Sequence, residues 1–180
     1  MKTPPSLPVR KVAIIGPECT GKSALSDLLA RHFQTQWVPE YAREYIDNLS
    51  RPYREEDLLT IALGQLSLED EIATRANRVL FCDTNLYVIK VWSEFKFGRT
   101  NPEILKLIDH RQYDLYLLAN IDIPWVHDPQ REHPDKREEL YEIYLKEMKN
   151  QPVPFVEVSG LGDERVGTAI AAVEKILRTV

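Results

Sequence analysis

One run of residues constrains this chain more than any other: Gly16-Pro17-Glu18-Cys19-Thr20-Gly21-Lys22-Ser23. It follows an apolar stretch, Val12 to Ile15, and precedes a segment in which Leu25, Leu28, Leu29 and Phe33 recur at helical spacing. A strand that enters such a loop and leaves as a helix is the expected setting of a phosphate-binding P-loop. A polyphosphate needs several backbone N–H groups aimed at one point, and glycines let the chain wrap that closely. The helix that follows directs its positive N-terminal end at the same anion. Gly16, Glu18, Cys19, Thr20, Gly21, Lys22, Ser23 and Ala24 are therefore expected to cradle a nucleotide such as ATP. Within that set Lys22 would reach the β- and γ-phosphates, and Ser23 would offer its hydroxyl to Mg²⁺. The competing explanation is a glycine turn ahead of an ordinary helix, and both flanking elements weigh against it.

Composition narrows the setting. With 180 residues and 43% hydrophobic content the chain can bury one full core without disulfides or structural metal. The expectation is a tail over 1–10, containing Pro4, Pro5 and Pro8, and one domain over 11–180. A net charge of -5 gives no basic footprint for nucleic acid. Cys19 and Cys82 are too few and wrongly spaced for a zinc site or a disulfide framework, which fits a reducing cytoplasm. No stretch has the length of a membrane span and no signal-type apolar region opens the chain. The expected partner is a small molecule, with neither nucleic acid nor membrane. Oligomeric state stays open, a homo-oligomer included.

Beyond the P-loop helix, strands alternate with helices. Residues 35–39 predict a second strand, 54–78 a long amphipathic helix, and 78–83 a buried strand ending on Asp83. Helices are expected over 85–97 and 103–111, strands over 114–119 and 154–159, and a closing helix whose stripe includes Val166, Ala169, Val173 and Leu177. This alternation predicts an α/β, three-layer P-loop NTPase fold with a central parallel sheet of about five strands. In such sheets ligands gather beyond the carboxyl ends of the strands.

That rule brings Glu40, Asp83, the segment after Ala119 and the turn after Ser159 to the P-loop. Asp83 would hold Mg²⁺ with Ser23, unless it only caps the next helix. Glu40 would accept the proton of an attacking hydroxyl or hold a sugar; Glu40, Arg43 and Glu44 would otherwise be a surface ion-pair cluster. Tyr41, Tyr87 and Trp92 are candidates to stack on a flat ring, and Arg43 and Trp125 are further candidates to contact the substrate. Residues 120–137 read as an irregular lid containing Trp125, with Arg131 closing on the transferred phosphate and Arg137 assigned either to the lid or to the next helix. His127 and His133 lack a metal-ligand set. Ser159 and Gly160 would meet the adenine edge, or simply form a turn before a helix capped by Asp163.

With these segments in view the chain resembles the kinase domain of NadR-type ribosylnicotinamide kinases, a branch of the nucleoside- and nucleotide-kinase-like P-loop proteins. The resemblance rests on the P-loop octet, Glu40-Tyr41-Ala42-Arg43-Glu44, Ile61-Ala62-Leu63-Gly64, Asp83-Thr84 and Trp125-Val126-His127-Asp128-Pro129-Gln130-Arg131. It implies ATP-dependent phosphorylation of the 5′-hydroxyl of nicotinamide riboside, with Lys22 and Ser23 on phosphates and Mg²⁺. Asp83 and Glu40 would serve metal, base or ribose, and Arg131 would act from the lid. Bifunctional members carry an adenylyltransferase domain upstream. With only a short tail before the first strand, the expectation here is a kinase without that second activity; the alternatives are a kinase for another nucleoside, or a nucleotide-dependent ATPase or switch acting on a protein partner.

Overall fold

The computed structural model describes residues 8–179, so most of the expected tail lies outside the described residues. Its first strand, β1 (Arg10–Ile15), starts one residue ahead of the expected domain boundary. The remaining strands are β2 (Gln36–Val38), β3 (Val79–Asp83), β4 (Leu115–Ala119) and β5 (Phe155–Val158). The pairings among these five strands are parallel, in the order β2-β3-β1-β4-β5. The helices are α1 (Lys22–His32), α2 (Tyr41–Asp47), α3 (Asp57–Ala73), α4 (Leu86–Phe97), α5 (Pro102–His110), α6 (Arg137–Lys149) and α7 (Gly162–Arg178).

Strand alternation assigns the two covering layers. Val12 and Ile14 of β1, Val79 and Phe81 of β3, and Leu115 and Leu117 of β4 face α1 and α7. Their neighbours Ala13, Ile15, Leu80, Cys82, Tyr116 and Leu118 face α3, α4 and α6. Asp83 follows Phe81 by two residues, so it emerges on the α1 side, where the P-loop serine stands. Cys82 points the other way into the core, and both cysteines are free.

Helix ends follow local chemistry. Asn85 accepts from the Tyr87 amide at 3.0 Å and caps α4, and Asn101 caps α5, with Pro102 in its first turn. The helix expected over 54–78 is shorter at both ends. At its start Asp57 turns its carboxylate back to accept the Arg54 amide at 2.7 Å. Beyond its C-terminus, Arg78 takes a left-handed φ of 63°. Gly64, inside α3, is where the Tyr41 ring of α2 lies against the backbone; a Cβ there would overlap that ring.

Candidate active site

The P-loop leaves β1 at Gly16, whose φ of 136° and position 2.7 Å (from a notional Cβ) to the Ala119 carbonyl exclude a side chain. Cys19, at φ 56°, makes the tip of the loop left-handed as well. Thr20 Oγ1 and Lys22 Nζ both donate to the Pro17 carbonyl, at 2.9 and 2.8 Å. From α7 the buried Arg165 donates to the Thr20 carbonyl at 2.6 Å and clamps the loop from behind. Nothing in the sequence pattern singled out Arg165, because it sits at a core-facing position of an ordinary amphipathic helix.

Ser23 Oγ donates to Asp83 Oδ2 at 2.5 Å, while the other Asp83 oxygen is buried without a hydrogen-bond partner among the described residues. Burial raises the Asp83 pKa against the opposing pull of Lys22, the Ser23 hydroxyl and Arg43. A hydroxyl beside a carboxylate with a spare oxygen is a donor set suited to Mg²⁺, which prefers oxygen ligands and keeps several waters. No cluster of three or more His, Cys, Asp or Glu suited to a metal occurs among the described residues. A cation here would therefore depend on these two side chains, water and phosphate.

Glu40 follows β2 and leads into α2. Its carboxylate makes no hydrogen bond among the described groups. Protein crowds it on most sides, and this burial raises its pKa, partly offset by Lys22 and reinforced by Asp83. It keeps some solvent access through a cleft of about 580 Å³ that runs from the P-loop past Glu40 and Arg43 to Tyr53, Trp92, Phe95 and Lys96. Lid residues Arg131 to His133 and Tyr144 of α6 complete its walls. The predicted Lys22, Glu40 and Arg131 thus share one concavity, with Asp83 joined to it through Ser23.

Arg43 does not pair with Glu40 or Glu44. It reaches the lid at Asp128, 3.1 Å away, and Gln130 docks on Asp47 at 2.5 Å. Arg131 donates to Cys19 Sγ at 3.2 Å and to the Val126 carbonyl. Arg137, left between lid and helix by the sequence, is the first residue of α6 and donates to the Cys19 and Ile123 carbonyls at 3.0 and 2.8 Å.

Three aromatic assignments need correction. Tyr41 packs on Gly64 and donates its amide to Gln65 Oε1 at 2.9 Å, away from the cleft. Tyr87 turns to the sheet, edge-on to Tyr116 at 5.7 Å between ring centres. Trp125 lies on the lid 5.9 Å from the Arg131 and Arg137 guanidiniums and does not line the cleft. Trp92 does line it, donating from Nε1 to the Tyr53 hydroxyl at 2.8 Å. Ser159 and Gly160 lie outside the cleft, bonded to Asn120 and Asp122 at 3.0 and 2.7 Å.

Apart from Trp92, sequence reasoning missed the far wall. Tyr53 donates to Glu132 Oε2 at 2.7 Å, and Lys96 sits 3.9 Å over the Tyr53 ring while pairing with Glu132 Oε1 at 2.7 Å. Burial, then the Glu132 carboxylate, push the Tyr53 hydroxyl well above its usual pKa. Burial works against ionised Glu132, but Lys96 and Tyr53 outweigh it and lower its pKa. Arg51, beside this wall, is held by both oxygens of buried Asp57 at 2.8 and 2.9 Å.

Known proteins place this geometry. The trifunctional NAD biosynthesis/regulator protein NadR of Salmonella typhimurium is 33% identical over 158 residues, 83% of this chain and 38% of NadR. The chain thus spans well under half the length of that curated relative. A crystal structure of NadR protein in complex with NR matches with a TM-score of 0.83 and 25% identity, over 94% of this chain and 52% of the other. NadR protein in complex with NAD and AMP-PNP matches at 0.77 and 21%, over 94% and 50%. Thymidylate kinase from Ehrlichia chaffeensis shares the fold at 0.67 and 13% identity, over 96% and 100%. The three-layer sheet is accordingly a P-loop kinase fold. A family model described as AAA domain matches residues 11–165, and the chain belongs to that AAA_28 family of P-loop domains.

Proposed function

We propose that the chain is an ATP-dependent kinase that phosphorylates the 5′-hydroxyl of nicotinamide riboside. The observation that carries this reading is a single cleft with a phosphate cradle at one end, an aromatic wall at the other and the unbonded Glu40 carboxylate between them. The likeness to NadR in complex with NR, and to NadR in complex with NAD and AMP-PNP, supports the same pairing of ligands.

Mg·ATP would supply the phosphoryl group and its charge-neutralising cation, with Ser23 and Asp83 holding the metal. The protein's part is positioning and charge compensation, because phosphoryl transfer needs little covalent help. Lys22 and the loop amides fix the phosphates. Glu40, raised by burial yet beside Lys22, takes the proton of the 5′-hydroxyl. Tyr53, Trp92 and Phe95 form an aromatic wall for the pyridinium ring, whose positive charge suits π faces and the neighbouring Glu132 carboxylate. Arg131 brings positive charge from the lid. Ser159 and Gly160 keep their assignment to the adenine edge, behind the P-loop and beside Arg165.

The reading is tested by ADP release across a nucleoside panel that includes nicotinamide riboside, with product masses recorded. It predicts the strongest stimulation by nicotinamide riboside and a product heavier by one phosphoryl group. ATP hydrolysis that no nucleoside stimulates would reject it in favour of a nucleotide-dependent switch.

A further inference from the structure

A glutamate in the middle of a polyphosphate cradle is a costly choice, since its charge repels the ligand that the loop binds. Glu18 occupies that place, and its carboxylate is turned to the lid. Its oxygens accept the backbone N–H of Glu132 at 3.1 to 3.2 Å and that of His133 at 3.1 Å. Hydrogen bonds to an ionised acceptor are the strong kind, and lid amides otherwise without partners are what they satisfy. The lid residue held in this way reaches the opposite end of the cleft with its side chain. Glu132 accepts from Tyr53 and Lys96, both at 2.7 Å, and Tyr53 in turn accepts from Trp92. A connection therefore runs from the phosphate loop to the aromatic wall, by hydrogen bonds from Glu18 to the lid backbone and from the Glu132 side chain to Tyr53 and Lys96, joined covalently through Glu132.

We propose that Glu18 is a positioning residue: by gripping the lid at Glu132 and His133 it ties the nucleotide seat to the acceptor seat, so that each ligand strengthens binding of the other. The proposal rests on the kinase reading and goes beyond it by naming the residue that couples the two substrates. Glu18 touches neither reacting atom; it acts through Glu132. A carboxylate turned toward the nucleotide itself would have affected phosphate affinity alone.

The test is calorimetric binding of nicotinamide riboside with and without Mg·AMP-PNP, on wild type, Glu18→Ala, Glu18→Gln and Glu132→Ala. Couplings of this kind usually span about 5- to 150-fold. Wild type is expected to bind the riboside at least about tenfold more tightly in the presence of nucleotide, and Glu18→Ala to lose most of that factor. Glu18→Gln, whose amide oxygen still accepts an N–H, should regain part of it. Glu18→Ala combined with Glu132→Ala should lose no more coupling than either alone, because both cut one connection. Amide exchange supplies a readout that needs no acceptor. AMP-PNP should slow exchange around Tyr53 and at residues 92–96 in wild type and leave it unchanged in Glu18→Ala. Equal coupling, or equal nucleotide-dependent protection, in Glu18→Ala and wild type would overturn the proposal. Failure of wild type to bind nicotinamide riboside would instead fault the acceptor assignment, and the exchange data would still decide the role of Glu18.

Discussion

The two ends of the cleft are built differently. The phosphate end is mostly backbone: residues 16–24 are contiguous, their amides are the proposed phosphate ligands, and parallel β1 and β3 deliver Asp83 beside Ser23 by register, with Ile14 opposite Asp83. The acceptor end is all side chain, assembled from the link between α2 and α3, from α4, from the lid and from α6. A backbone site tolerates little change but can be read from a short string of residues. A side-chain wall can be retuned one residue at a time and leaves no such string.

The sharpest way to break this contrast is to remove Lys22, the side chain proposed to reach the phosphates. Lys22→Ala should lower kcat by about two to three orders of magnitude, comparable to losing a key electrostatic donor. Single-turnover phosphoryl transfer measures this, and a near wild-type rate would remove the cradle from the mechanism.

This contrast also explains what could be read in advance. The P-loop, the five parallel strands and the placement of Glu40 and Asp83 follow from the loop's residue spacing, continuous apolar runs and the strand-end rule, which act locally. The wall was hidden because its members are far apart in sequence. Lys96 meets Glu132 across 36 positions and Trp92 meets Tyr53 across 39. Within α4 the cleft-facing stripe is Val88, Val91, Trp92 and Phe95. Tyr87 lies at the edge of that stripe, four residues before Val91, and its ring turns to the sheet against Tyr116. Tyr41 was misassigned because an aromatic in the first turn of a helix gives no hint that Gly64 will receive its ring.

Next in size is the lid. Arg131→Ala should lower kcat by about ten- to a hundredfold, since its guanidinium acts from one side of an otherwise intact cradle. Retained kcat with a raised KM would instead move Arg131 to the acceptor end of the comparison. A smaller effect of a different kind is expected at the wall. Trp92→Ala should raise the KM for the riboside about tenfold while kcat changes by less than about threefold, the signature of lost uniform binding. Steady-state kinetics separates these two patterns.

The smallest effect reads the buried carboxylate. Burial raises the Asp83 pKa above the ordinary aspartate range, so the folded state holds that proton more tightly than the unfolded chain does. Stability from this group is therefore full below the unfolded value and declines as pH rises through the folded one. Asp83→Asn should abolish most activity yet melt slightly higher than wild type at neutral pH, a difference that fades in acid. Thermal unfolding at pH 4 and pH 7.5 measures it. The acid limb of kcat/KM in wild type should correspondingly lie above the range of a free aspartate, because protonated Asp83 cannot hold the cation.

The central claim is that one cleft seats both reactants in line, and a crystal structure with AMP-PNP, Mg²⁺ and nicotinamide riboside tests it most directly. The account predicts the riboside 5′-oxygen within about 3 to 3.5 Å of the γ-phosphorus, the spacing of a near-attack geometry, with its pyridinium ring against Tyr53 and Trp92 and Glu40 facing the hydroxyl. A riboside bound outside this cleft, or seated in it with the 5′-oxygen turned away from the P-loop, would contradict it.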